Sequence, residues 1–72
     1  MIKILYDNPS EKLSDTIGFE CVVSNETAAA FLVLIDDTEY WIPKSQTRSV
    51  SIDNGETIII MSKWIATTKG LL

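Results

Sequence analysis

The segment Trp41-Ile42-Pro43-Lys44-Ser45-Gln46-Thr47-Arg48 places an aromatic plane, two cations and a set of hydroxyl and amide groups within eight residues. Such a set can hold a phosphate or another compact anion by charge and hydrogen bonding while a ring stacks on Trp41. Pro43 fixes the chain as it leaves the preceding strand, so Lys44, Ser45, Gln46 and Arg48 can be presented at little ordering cost. The same residues admit a structural reading, in which Trp41 closes the core of a small barrel and the polar groups form an ordinary loop. Both readings stand at this level.

Elsewhere the inventory argues against catalysis. The chain has no histidine and a single cysteine, which removes histidine-activated nucleophiles, a Cys/His zinc site and a disulfide framework. Cys21 lies on the apolar face of an alternating strand, where nothing lowers its pKa, and reads as core. Asp36, Asp37 and Glu39 cluster, but their spacing does not match a calcium loop, and adjacent carboxylates at a hairpin tip serve as a polar turn. No catalytic residue, metal ligand or cofactor is expected, and the chain reads as a non-catalytic binding module.

Charge narrows the partner. The formal net charge is −4, and its distribution is uneven. Residues 1–39 carry eight acids against two lysines, whereas residues 40–72 carry Lys44, Arg48, Lys63 and Lys69 against Asp53 and Glu56. Six cations in all make a poor footprint for duplex DNA, whose affinity rests on neutralising several phosphates. A small anionic ligand of few charges, or a protein patch, fits better.

These residues need elements to hold them, and at 72 residues the chain has room for one domain, residues 1–72, with one small core. Ile2 to Tyr6 reads as a short strand stopped by the turn formers Asp7-Asn8-Pro9-Ser10, and Ser10 to Asp15 as polar loop. Ile17, Phe19, Cys21 and Val23 recur with period 2 and predict a strand with those side chains inward. Asn25-Glu26 is a turn, and Thr27 to Ile35 a strand without a polar face. Asp36-Asp37-Thr38 turns the chain into an aromatic strand, Glu39 to Ile42, ended by Pro43. Thr47 to Asp53, with Arg48, Val50 and Ile52 on one side, and Glu56 to Met61 flank Asn54-Gly55, the strongest two-residue hairpin signal. Ser62 caps a short helix with Trp64, Ile65, Thr68 and Leu71 on one face, Trp64 buried against the sheet, and Gly70 at its end. The expected fold is mainly β: a small antiparallel sheet or barrel-like fold of five to six short strands with one short C-terminal helix.

Met1 to Tyr6 meets Asp7 before any secretory leader is formed, and the longest apolar run, Ala28 to Ile35, is far short of the ~20 residues needed to span a bilayer. A cytoplasmic protein with no membrane partner is expected. The apolar strands offer side chains to both sheet faces, and one short helix covers only one of them, which predicts a homo-oligomer, most simply a dimer.

Trp41-Ile42-Pro43-Lys44-Ser45-Gln46, followed after a hairpin by Trp64-Ile65-Ala66 and Lys69-Gly70-Leu71, resembles a pattern in small uncharacterised proteins of bacteriophages and prophages. The resemblance covers about Ala28 to Leu72 and implies a phage-like origin, with counter-defence or host takeover as the kind of role. It carries no activity of its own. Two functions follow as expectations: sequestration of a small nucleotide-type ligand through Trp41, Lys44, Ser45, Gln46 and Arg48, or inhibition of a host defence or nucleic-acid-processing protein by direct binding.

Overall fold

A computed structural model describes all 72 residues. Six strands, β1 (Ile2–Asp7), β2 (Thr16–Glu26), β3 (Ala30–Ile35), β4 (Thr38–Pro43), β5 (Thr47–Asp53) and β6 (Glu56–Ser62), precede one helix, α1 (Lys63–Thr68). A single 3₁₀ turn, Lys44–Gln46, links β4 to β5. The strands form one antiparallel sheet in the order β1-β5-β6-β2-β3-β4, with β1 and β4 as free edges. The sheet is therefore not closed into a barrel. It curls far enough for Tyr6 of β1 to meet Phe31 of β3 edge to face, ring centroids 5.3 Å apart. Side chains span the remaining gap: the Tyr6 hydroxyl and the Asn8 amide both donate to the Lys44 carbonyl, at 3.2 and 3.3 Å.

The period-2 pattern of β2 holds. Cys21 is buried, and Ile17, Phe19 and Val23 pack on the same core. That core also takes Phe31, Val33 and Ile35 from β3, Ile42 from β4, Val50 from β5 and Ile59 and Met61 from β6. Alternation is interrupted at three β-bulges, at Leu5, Ser24 and Arg48. The bulge at Arg48 changes which β5 residues face inward. Thr47 sits opposite Met61 and is fully buried, Arg48 is the extra residue, and Val50 returns to the core.

Both tight hairpins form at the turn residues expected, Asp36-Asp37 and Asn54-Gly55. Asn54 and Gly55 have φ of 52° and 81°, and Asp36 and Asp37 have φ of 49° and 65°. Two successive residues at positive φ match the right-handed twist of the strands they join. Aspartate tolerates this region less well than glycine, so Asp37→Gly is expected to stabilise the fold by about 0.5 kcal/mol, a Tm rise of roughly 2 to 4 °C. Differential scanning calorimetry of the variant checks it, and an unchanged or lower Tm counts against strain at this turn.

The strand read as Thr27 to Ile35 begins only at Ala30. Thr27 holds the preceding residues in a turn, its hydroxyl oxygen accepting from the amides of Ala29 and Ala30 while its own amide donates to the Ala30 carbonyl. Ser62 caps α1 as expected, accepting from the Ile65 amide at 3.1 Å, and Gly70 ends the segment at φ 78°. Trp64 departs from expectation, since it is 65% exposed. A helix of six residues buries one narrow stripe, here Ile65 and Ala66, and the 100° step between neighbours turns Trp64 to solvent.

Candidate functional site

The residues singled out between Trp41 and Arg48 diverge around the end of β4. Trp41 stands opposite Leu32 on the outer face of the sheet, away from the core, and is 42% exposed. It does not close the core; Ile42, its neighbour, does so. Lys44 turns the other way. Its ammonium lies 2.6 Å from a Glu26 carboxylate oxygen and 4.9 Å from the Phe31 ring centroid, with the Tyr6 ring at 5.8 Å. Phe31 and Tyr6 belong to the inner side of the sheet, so Lys44 and Glu26 together cover one open end of the core.

Gln46 and Arg48 are also engaged within the chain. The Gln46 side-chain oxygen accepts from the Ser62 hydroxyl at 2.7 Å, which joins the 3₁₀ turn to the cap of α1. Arg48 Nη1 donates to the carbonyls of Asn8 and Ser10 at 3.2 and 3.0 Å, and the amide of Asn8 donates to the Arg48 carbonyl. Arg48 thereby organises the loop after β1, which seats the buried Leu13, a core residue that the polar run around it concealed. Ser45 is exposed in the 3₁₀ turn. Of the five, Trp41 and Ser45 face solvent, while the two cations and the amide hold elements together.

The larger surface feature is the outer face of the sheet. Strand register places Ile4 of β1, Val22 of β2, Leu32 and Leu34 of β3, Trp41 of β4, and Ile58 and Ile60 of β6 on this face. Ile4, Val22 and Trp41 are exposed, Val22 at 59%, while Leu32, Leu34, Ile58 and Ile60 are half-buried; α1 lies against the other, inner side through Ile65 and Ala66. Gly18 is exposed on this face beside Ile58 and Ile60, whose side-chain carbons lie 3.7 and 3.5 Å from where a Cβ on it would sit. The charges of the face are of one sign. Asp7, Glu20, Glu39, Asp53 and Glu56 share its register positions, whereas no lysine or arginine does. A shallow, open depression of about 430 Å³ at one end is lined by Glu20, Cys21, Val22, Leu34, Asp36 and Asp37. The face was partly legible in the residues, through the β3 run without a polar side; its acidic character depends on register and was not.

No three His, Cys, Asp or Glu side chains converge in an arrangement suited to a metal ion. Burial pushes the Cys21 thiol up from its ordinary value, against a smaller opposing effect of a backbone hydrogen bond at Ile59. The folded chain thus holds the thiol proton more tightly than the unfolded chain. Stability from this source is complete below the unfolded thiol value of about 8.5 and is lost as pH rises above it toward the folded value. Urea midpoints measured across this range should fall more steeply for the native protein than for Cys21→Ala; equal slopes would show that the thiol is not held protonated.

No helix is long and apolar enough to cross a membrane. No known family model, curated protein or solved structure matches the chain.

Proposed function

We propose that this chain is a non-catalytic binding module that engages a protein through the outer face of its sheet, with Trp41, on the edge strand β4, as an aromatic anchor of the contact. The observation that carries the proposal is the apolar row Val22, Leu34, Leu32 and Trp41 crossing three adjacent strands, with Val22 and Trp41 exposed and the two leucines half-buried between them. Exposed contiguous apolar surface rimmed by polar residues is characteristic of an interaction site, and tryptophan is among the residues that most often dominate such contacts. Sequestration of a nucleotide through the Trp41 to Arg48 segment has less support, because Lys44 and Arg48 already spend their charge on Glu26 and on two backbone carbonyls. The resemblance to small phage and prophage proteins supplies the setting: a host-directed factor, acting in the cytoplasm of the infected cell by occupying a defence or nucleic-acid-processing protein.

Photo-cross-linking in host cells, with a benzophenone side chain in place of Val22 and, separately, in place of Thr67 on α1, tests the surface. A discrete adduct from position 22 and none from position 67 is the expected result; the reverse pattern would remove the outer face as the site. Native mass spectrometry of freshly purified protein tests the competing reading. A retained nucleotide, lost in Lys44→Ala, would establish sequestration instead.

A further inference from the structure

We infer that the occupant of the outer face is a basic amphipathic segment of another protein, a stretch in which lysine or arginine flanks a row of apolar side chains. The inference rests on the binding reading above and names the partner's chemistry.

It follows from where the charges lie. Glu20, Glu39, Asp53 and Glu56 share the face with the apolar row, and Asp36 and Asp37 rim the depression beside Val22 and Leu34. The six cations lie elsewhere. Lys44 and Lys63 are in ion pairs with Glu26 and Asp15, Arg48 is bound to the loop after β1, Lys3 shares the register of the inward-facing Ile52, Lys12 is in that loop and Lys69 follows α1. Neither ion pair uses an acid of the outer face, so these carboxylates keep their charge for a partner. A second copy is a poor occupant, because two-fold pairing of this face would set acid against acid with no cation on either side. An acidic or neutral apolar partner gains nothing from the rim. A segment with cations spaced about its apolar row satisfies both parts of the surface, with the depression placed to receive one long basic side chain.

The test uses the full chain carrying Trp64→Phe, which leaves Trp41 as the sole tryptophan, and two synthetic amphipathic peptides of equal length, one of leucine and lysine and one of leucine and glutamate. The expected result is a blue shift of Trp41 emission with the lysine peptide, and binding at least tenfold tighter than that of the glutamate peptide. Glu20→Gln with Glu39→Gln should weaken lysine-peptide binding at least threefold, while Glu11→Gln with Asp15→Asn, which removes the same charge away from the face, should leave it unchanged. Equal binding of both peptides, no response of Trp41, or equal weakening by the two double substitutions would each overturn the inference. So would sedimentation showing a dimer that is broken by Val22→Lys, which would give the face to a second copy. A cross-link from position 22 to a partner without a basic segment would leave the binding reading standing while this inference falls; absence of any adduct there removes both.

Discussion

Ile42→Ala is expected to leave the chain largely unfolded at physiological temperature. Ile42 is fully buried on β4, an edge strand with a single partner. Deleting three carbons of a buried isoleucine costs about 2 to 5 kcal/mol, because the lost transfer free energy is joined by the cavity left behind. A domain of this size is held together by only about 3 to 5 kcal/mol. β4 pairs with β3 alone, so the backbone has no second strand to keep it in place once the side chain is gone. Ile58→Ala, on the outer face where the side chain is only half-buried, is the matched control, with an expected loss of about 1 to 1.5 kcal/mol. Far-ultraviolet circular dichroism against temperature separates the two, and similar melting of both variants would contradict the assignment of faces.

The second large effect is expected from Lys44→Ala combined with Arg48→Ala. By residue type these are surface cations, and their removal would be taken as neutral. In the fold, Arg48 makes charge-assisted bonds to the Asn8 and Ser10 carbonyls, and the Lys44 side chain, only 19% exposed, is held between Glu26 and the Phe31 ring. Hydrogen bonds to a charged donor contribute about 1.5 to 3 kcal/mol where both partners are shielded. The Glu26 side chain is 55% exposed, which lowers the worth of its pair toward the surface value of under about 1 kcal/mol. The double substitution should therefore cost about 2 to 3 kcal/mol and lower Tm on the order of 10 °C. It should also release the loop that seats Leu13, read directly as faster tryptic cleavage after Lys12. Unaltered melting and cleavage would mean that these contacts do not hold the loop.

Local signals foretold the fold well. Asn54-Gly55 and Asp36-Asp37 adopt the positive φ values that their turns require, and the odd-numbered apolar set of β2 faces the core, because a period of 2 with one buried face leaves a single register. Bulges were hidden from such reasoning. None of Leu5, Ser24 and Arg48 is a glycine, and one extra residue moves everything beyond it to the opposite face, so Arg48, Val50 and Ile52 read as one side while Thr47 in fact faces Met61. The candidate segment was misleading for a related reason. Whether Lys44 and Arg48 are free depends on Glu26, Asn8 and Ser10, which lie 18 to 40 residues away. No local pattern reports such a pairing. The direction of Trp64 was lost because six helical residues are too few for a moment to define a face.

β1 is attached to the sheet along one side only, pairing Ile2 through Asp7 with β5 across some forty to fifty residues of chain. Of its six residues, five are exposed and Tyr6 alone reaches the core. Such a strand can come away while the other five remain paired, since its release uncovers little that was hidden from water. Amide hydrogen exchange should accordingly divide the molecule in two, with the β1 amides bonded to β5 exchanging through a local opening well below the free energy of global unfolding, and the amides of β2 and β6 exchanging only when the whole chain unfolds. During synthesis the same attachment imposes an order. The N-terminal strand emerges first and yet has no partner until β5 has left the ribosome, so it waits, exposed, for the last large step of folding.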